Sequence, residues 1–139
     1  MGIRSWKFRL YPSKQQENLM DCHLIACKNL WNSLLEHSKN YYEKTGKFPG
    51  RNQLNTLTKG TPLFSQVAQN VADRLAKSMA GMVARKRAGI NAGFPRFKSI
   101  ERVKSFTHPQ FGFVLNNRLE VSGIGNISIR KHRVVEGKI

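Results

Sequence analysis

Residues 6–34 have the sequence WKFRLYPSKQQENLMDCHLIACKNLWNSL, and a change of hydrophobic period within them decides the fold. Up to Tyr11, apolar residues alternate with Lys and Arg, a period of two that is typical of a strand with one apolar and one cationic face. Pro12 ends this strand because proline has no amide hydrogen to donate to a neighbouring strand. We therefore predict a first strand over residues 3–11.

A capping box opens the next element. Ser13 is followed three residues later by Gln16, an arrangement in which each side chain accepts a hydrogen bond from the backbone amide of the other residue. Apolar residues then keep helical spacing for many turns. The pattern predicts a long first helix that ends near Gly46.

Two further helices are predicted. Between residues 47 and 60, turn residues flank a short amphipathic stretch around Leu54 and Leu57, which indicates a brief helix. From Ser65 the apolar residues step by three or four, and Gly89 is placed to end the run. This second long helix has an apolar side made of Val67, Val71, Leu75, Met79, Met82 and Val83.

The last third of the chain is typical of strands. Short runs of period two occur at 111–115, 119–121 and 127–129. Asn116-Asn117 suits a two-residue hairpin turn because asparagine tolerates positive φ, and the glycines at 123 and 125 mark the next connection.

The order strand, helices, strands predicts an α+β fold. We expect a small, wedge-like β-barrel or sheet formed by residues 1–12 and 90–139, interrupted by a helical recognition domain at 13–89. The 139 residues, of which 40% are hydrophobic, are enough to bury a core.

Cys22 and Cys27 lie five residues apart on different faces of the first helix, so reduced, buried thiols are expected.

The charge of the chain points to a polyanionic partner. There are 24 Lys and Arg against 8 Asp and Glu, a net charge of +16. Each phosphate that a cation neutralises releases counterions, so such a chain binds DNA or RNA even without sequence preference. A basic but otherwise ordinary globular protein is the alternative.

No stretch reaches the length of a membrane span and no secretory signal opens the chain, so we expect a cytoplasmic, nucleoid-associated protein without a membrane partner.

Residues for catalysis are sparse. The eight acids include no close pair, so a metal site for phosphoryl chemistry would have to recruit carboxylates from distant positions. His23 and Cys27 are four residues apart on one helix face, but two ligands do not make a zinc site, and we interpret both as core residues. No phosphate-binding glycine motif occurs. We expect no metal, no cofactor and no catalytic residues.

Cations are densest between Arg74 and Lys104, where nine Lys or Arg accompany one acid. Within this segment Phe94 and Phe97 alternate with cations, and a ring beside a guanidinium suits an unpaired base next to a neutralised phosphate. Packing of the two rings beneath a loop is the alternative. At the start of the second long helix, a polar group of Ser65, Gln66, Gln69 and Asn70 has the residue types that contact base edges, although capping and simple exposure also explain it.

Several motifs together resemble a known family. They are Lys7-x-Arg9-Leu10-Tyr11-Pro12-Ser13-Lys14-x-Gln16, then Cys27-Lys28-Asn29-Leu30-Trp31-Asn32, Gln69-Asn70, Gly93-Phe94-Pro95-Arg96-Phe97-Lys98 and Ser105-Phe106-Thr107. In this order and at this separation they resemble the N-terminal half of TnpB (OrfB)-type proteins. These proteins are encoded by prokaryotic insertion sequences and are relatives of type V CRISPR effectors.

The resemblance implies a wedge-like barrel and a helical recognition domain that hold a guide RNA and inspect a short motif in duplex DNA. By position, Gln69 and Thr107 match places that approach the motif, and Arg9, Arg96 and Lys98 match backbone-binding places. With the cationic and polar positions above, the predicted nucleic-acid-binding set is Lys7, Arg9, Asn52, Ser65, Gln69, Asn70, Arg74, Lys77, Arg85, Lys86, Arg87, Arg96, Phe97, Lys98, Arg102, Lys104 and Thr107.

The chain also departs from the family pattern. The resemblance implies a following RuvC-like nuclease domain, and the chain ends at residue 139 where a further strand is expected. We therefore expect a non-catalytic module, with the remainder of the parent protein as a partner. Two rivals stay open: a stand-alone helix-turn-helix regulator that binds duplex DNA as a dimer, and an enzyme whose scattered acids assemble a metal site.

Overall fold

The computed structural model describes residues 5–60, 63, 65–108 and 113–130. The predicted α+β class is confirmed: three helices accompany a four-stranded antiparallel sheet. The elements in chain order are β1 (Arg9–Tyr11), α1 (Lys14–Thr45), α2 (Arg51–Leu57), α3 (Ser65–Arg87), a 3₁₀ turn (Ile100–Arg102), β2 (Phe113–Leu115), β3 (Arg118–Val121) and β4 (Gly125–Arg130).

The sheet is open rather than closed into the predicted barrel. Its strand order is β1-β4-β3-β2, so β1 and β2 are edges that do not pair with each other among the described residues. Residues paired across neighbouring strands share a face. One face is apolar and borders a cavity of about 430 Å³ lined by Trp6, Phe8, Leu10, Phe113, Leu115, Leu119 and Ile129. The opposite face is polar and carries Arg9, Arg118 and Arg130.

The first strand is shorter than predicted. Tyr11, Leu10 and Arg9 pair with Ser128, Ile129 and Arg130, and β1 begins only at Arg9. In this register the partners of residues 7 and 8 would follow position 130, beyond the part of the chain that the structure describes. The predicted residues 3, 4, 111 and 112 also lie outside it.

The hairpin between β2 and β3 lies where it was predicted but has a different turn. Asn116 and Asn117 are the two residues between the strands, as predicted, and Leu115 pairs with Leu119. No residue other than glycine has positive φ in the described ranges, so the asparagines do not adopt the expected conformation. Between β3 and β4, Gly123 and Gly125 have φ of 82° and 101°, which confirms the second predicted connection.

Both predicted boundaries of α1 are confirmed. The amide of Ser13 donates to Gln16 Oε1 at 2.9 Å, and the amide of Gln16 donates to Ser13 Oγ at 3.2 Å. Gly46 ends the helix with a φ of 72°. Along α1, Cys27 is buried as expected, but Cys22 is exposed, because a five-residue separation turns its side chain to the solvent side.

The core of the helical region lies between α1, α2 and α3. Val67, Leu75, Met79 and Met82 of α3 are at most 2% exposed, which confirms the predicted apolar side of this helix. In α2, Leu54 is fully buried, whereas Leu57 is 44% exposed, so only one of its two predicted apolar positions faces the core.

The chain forms two compact units, which we call the sheet unit and the helical unit. The sheet unit comprises Met1–Met20 with Gly112–Ile139, and the helical unit comprises Asp21–Phe111. Compactness does not define where a functional module begins, so the predicted domain boundaries stay a prediction.

Among the described residues, no helix is long and apolar enough to cross a membrane.

Candidate nucleic-acid interface

An irregular segment of the helical unit, residues 96–98, is held by two side chains of α1. Trp31 Nε1 donates to the carbonyl of Arg96 at 3.0 Å. The amide group of Asn32 donates to the carbonyl of Lys98 at 2.9 Å and accepts from the Lys98 amide at 2.8 Å. The Asn32 side chain therefore satisfies both backbone groups of one residue, as a neighbouring strand would. This pairing fixes the backbone from which Arg96 and Phe97 reach the surface.

The two phenylalanines of this region have different environments. Phe94 makes edge-to-face contacts with Tyr42 and Phe48, at centroid distances of 5.6 and 5.5 Å. Its ring belongs to an aromatic cluster in which Tyr42 and Phe48 stack at 4.6 Å. Phe97, by contrast, is 49% exposed. The packing alternative thus applies to Phe94, while much of the Phe97 ring is exposed.

Lys39 brings a cation to the exposed ring. Its Nζ lies 4.7 Å from the centroid of Phe97 and 5.5 Å from that of Phe94. The predicted Lys86 lies near the same cluster, 6.0 Å from the centroid of Phe94. We did not predict Lys39, because nothing in its sequence neighbourhood distinguishes it from the other helix cations. A lysine beside an open aromatic face can bind a phosphate while a base stacks on the ring.

A second group of predicted residues converges beside α3. Arg74 Nη2 donates to Thr107 Oγ1 at 3.2 Å. Lys98 Nζ lies 4.0 Å from the ring centroid of Trp31. Burial, and secondarily the charge of Arg74, lower the pKa of Lys98. Two cations are thus close enough to disfavour each other, and a bound anion would relieve that repulsion.

Carboxylates do not neutralise these groups in the described part of the chain. The ion pair found there joins Arg51 and Asp73 at 2.7 Å, and both Arg74 and Lys98 lack an acidic partner among those residues. Cations that fold together without internal counter-charges favour an external polyanion. This feature separates the site from an ordinary solvated surface, in which acids and bases alternate.

The other predicted residues lie mostly at the surface. Gln66 is an exception at 6% exposure, so its proposed contact with base edges is wrong; its position on α3 faces the core. The exposed predicted residues are Lys7, Arg9, Asn52, Ser65, Gln69, Arg74, Lys77, Arg85, Lys86, Arg87, Arg96, Phe97, Arg102 and Lys104, and the half-buried ones are Asn70, Lys98 and Thr107. Their roles in binding stay predictions.

His23 and Cys27 are explained by packing. The ring of His23 stacks on Phe106 at 5.6 Å, and Phe106 meets His108 edge-on at 5.9 Å. Burial raises the pKa of Cys27 to about 11, and the positive charge of Arg74 opposes this shift only in part. The thiol is therefore protonated at neutral pH.

The chain is a basic α+β protein with a net charge of +16. A family model described as a helix-turn-helix domain, that of the OrfB proteins of IS605 elements, matches residues 1–47. This match confirms the resemblance to the N-terminal part of OrfB-type transposase proteins, and it supports a DNA-binding module of a transposase-family protein. A search of curated proteins found no match to the chain.

The matched segment has a simple structure. Its described residues, 5–47, contain β1 and the single 32-residue helix α1. A helix pair occurs farther along, where α2, a turn at residues 58–60 and then α3 follow one another. The description of the family therefore does not by itself identify a recognition helix within the match, and α3 is the helix that carries the predicted base-contacting residues.

Proposed function

We propose that the chain is the nucleic-acid-binding N-terminal module of a TnpB-like mobile-element protein. In this proposal it grips a guide RNA, contacts a short DNA motif beside the target and is not catalytic by itself. The observation that carries the proposal is the segment 96–98, which we call the clamped segment because Trp31 and Asn32 hydrogen-bond to its backbone. This segment lies beside two cations, Lys39 and Arg74. Nucleoid association and the parent protein as a partner belong to the same proposal.

The chemistry of this segment suits a sugar–phosphate chain with unpaired bases. Lys39 supplies positive charge beside the exposed Phe97 ring, and Arg96 and Lys98 are its neighbours in the sequence. Phosphate contacts contribute affinity without regard to sequence, whereas a ring accepts any unpaired base. A folded RNA with single-stranded loops offers both features together, so guide RNA is the ligand that we assign to this segment.

For the DNA motif we assign two positions along α3. Gln69 is exposed near the start of the helix, and glutamine can form two hydrogen bonds with adenine. One turn later, Arg74 donates to the hydroxyl of Thr107, so this threonine is held beside the same helix. These two side chains can select bases while the neighbouring cations bind the backbone.

The experiment is a set of gel-shift titrations over a salt series, with structured RNA and duplex DNA as competitors. Arg96→Ala is expected to weaken binding to every sequence alike and to lower the salt slope by about 0.9 on duplex DNA or about 0.7 on single strands for each phosphate that is no longer neutralised. The matched control is Lys44→Ala, which removes an exposed cation from the other side of α1, about 140° around the helix from Lys39. Equal effects of the two variants would overturn the proposal for this segment.

Motif choice has its own test. Gln69→Ala is expected to relax base preference in a selection from randomised duplexes while total affinity changes little, because the phosphate contacts remain. An unchanged base preference would remove Gln69 from the assignment without affecting the RNA-binding segment.

A stand-alone helix-turn-helix regulator is the second candidate. Its supporting observations are the succession of α2, a turn and α3, with Gln69 exposed in the second helix, and the description of the matching family. A regulator of this kind binds a palindromic duplex as a dimer. Strong preference for such a duplex over structured RNA in the same titrations would favour it.

A further inference from the structure

The polar face of the sheet unit gathers three arginines and one tyrosine. Arg9 of β1 lies directly opposite Arg130 of β4, and Tyr11 of β1 lies opposite Ser128. Ser128 in turn faces Arg118 of β3. Paired residues point to the same side of a sheet, so the four side chains share one face, and all four are exposed. Two strand spacings, about 10 Å, separate Tyr11 from Arg118 across Ser128.

A bound anion would stabilise this arrangement of like charges. Side chains directly opposite in an antiparallel pair lie about 5 Å apart at Cβ, and like charges there destabilise the sheet. The one acid of this face among the paired residues, Glu120, lies opposite Asn126, at the end of the sheet away from Arg9 and Arg130. Within the described ranges none of the three arginines forms an ion pair. Phosphates bound at Arg9 and at Arg130 would offset this repulsion with attractions.

The tyrosine indicates what kind of polyanion fits. Tyr11 is 48% exposed, and the guanidinium carbon of Arg9 lies 5.5 Å from the centroid of its ring. An open ring next to a guanidinium on a sheet surface can stack an unpaired base while the cation binds the adjoining phosphate. The bases of a duplex are already stacked on each other and do not reach such a ring, so a single strand is the better match.

We propose that the face formed by Arg9, Tyr11, Arg118 and Arg130 binds a single-stranded stretch of nucleic acid. The arginines contact successive phosphates, and one base stacks on Tyr11. This site lies in the sheet unit and is additional to the clamped segment 96–98 of the helical unit. It rests on the proposed nucleic-acid-binding function and extends it to a second surface, of which only Arg9 was anticipated from the sequence.

The test uses the whole chain and single-stranded oligonucleotides, as RNA and as DNA of the same sequence, with one 2-aminopurine whose fluorescence falls on stacking. The variant Arg118→Gln/Arg130→Gln is expected to weaken binding and to lower the salt slope by about 1.4, which is about 0.7 for each of two phosphates that the variant leaves unneutralised. Its charge-matched control, Lys14→Gln/Lys44→Gln, removes two exposed cations from outside the face and should change the slope much less.

Stacking is tested separately. The background is Phe97→Leu, which removes the second strongly exposed ring of the described residues. In this background Tyr11→Leu is expected to abolish the remaining 2-aminopurine quenching and to weaken binding at least about fivefold, with the salt slope unchanged. Circular dichroism and the thermal midpoint verify that each variant is folded. Similar effects on RNA and DNA indicate phosphate and base contacts alone, and a larger effect on RNA indicates an added contact to the 2′-hydroxyl; either supports the proposal.

Two results distinguish this proposal from the broader function. If the wild-type chain binds nucleic acid but the arginine double variant and its lysine control behave alike, the sheet face is not a binding site and the function proposed for the helical unit stands. If the chain binds neither RNA nor DNA, the proposed function itself fails. Binding of duplex alone, with single strands unable to compete, would also overturn the assignment of the sheet face.

Discussion

Replacing Asn32 by alanine tests whether one amide side chain holds the candidate RNA-binding segment in place. Asn32 makes two hydrogen bonds to the backbone of Lys98, at 2.9 and 2.8 Å, across 66 positions of sequence. Each such bond contributes about 1 kcal/mol net, so the loss of both should destabilise the segment locally by about 2 kcal/mol. Lys98 is half-buried, so water can reach the freed groups and the full penalty of burying them unpaired does not apply.

The direct assay is hydrogen exchange at the backbone amide of Lys98, followed by NMR. A local loss of about 2 kcal/mol corresponds to exchange about 30-fold faster in Asn32→Ala. Asn29→Ala is the matched control, since it makes the same substitution at an exposed position of the same helix and includes the same gain in helix propensity. Affinity for structured RNA should fall in Asn32→Ala and not in the control, because the segment must then be ordered on binding.

Asn32→Asp refines the test. A carboxylate can still accept from the Lys98 amide, but it cannot donate to the Lys98 carbonyl. We therefore expect faster exchange than in the wild type and slower exchange than in Asn32→Ala. Equal exchange rates of the Lys98 amide in Asn32→Ala and Asn29→Ala would show that Asn32 does not hold the segment.

Three further predictions concern stability, reactivity and pH. Gly81→Ala should raise the thermal midpoint, because alanine is favoured over glycine by about 1 kcal/mol inside a helix. The added methyl group meets only the end of the flexible Arg85 side chain, at 3.3 Å. A lower midpoint would contradict this prediction. A maleimide should label exposed Cys22 in the native protein but Cys27 only after unfolding, because burial raises the pKa of Cys27 to about 11; rapid labelling of native Cys22→Ser would argue against it. Burial, and then the charge of His23, lower the pKa of His108 from its usual 6.5, so the unfolded chain takes up this proton more readily than the folded one. The free energy of unfolding should therefore be unaffected by His108 above pH 6.5 and should fall as the pH drops below it. NMR titration of the imidazole should show the lowered pKa, and a higher pKa in His23→Gln.

Local signals in the sequence were reliable guides to local structure. The capping box at Ser13 and the glycine at 46 predicted both ends of α1, because each acts through hydrogen bonds or dihedral angles within a few residues. The apolar spacing of α3 predicted its buried side for the same reason, since periodicity along a helix becomes a stripe on its surface. Gln66 was misjudged because its position on that stripe outweighed its polar side chain.

Contacts between distant residues had no such signal. Nothing near Trp31 or Asn32 indicates that they bond a segment more than 60 positions later, and nothing near Lys39 indicates that it lies beside Phe97. The opposing arginines of the sheet likewise depend on the pairing register of β1 with β4, which joins residues at opposite ends of the described chain. Register is a property of the assembled sheet, and a shift of one residue would turn Arg9 to the other face.

The sequence by itself determined the excess of positive charge, the order of strand, helices and strands, and the resemblance to OrfB-type proteins, because composition, periodicity and short motifs are written along the chain. Only the tertiary structure decided that the sheet is open, that Phe94 packs while Phe97 is exposed, and that cations from separate elements meet without acids between them. The physical reason is that binding surfaces form from side chains brought together by long-range packing, and their separation in sequence carries no record of that proximity.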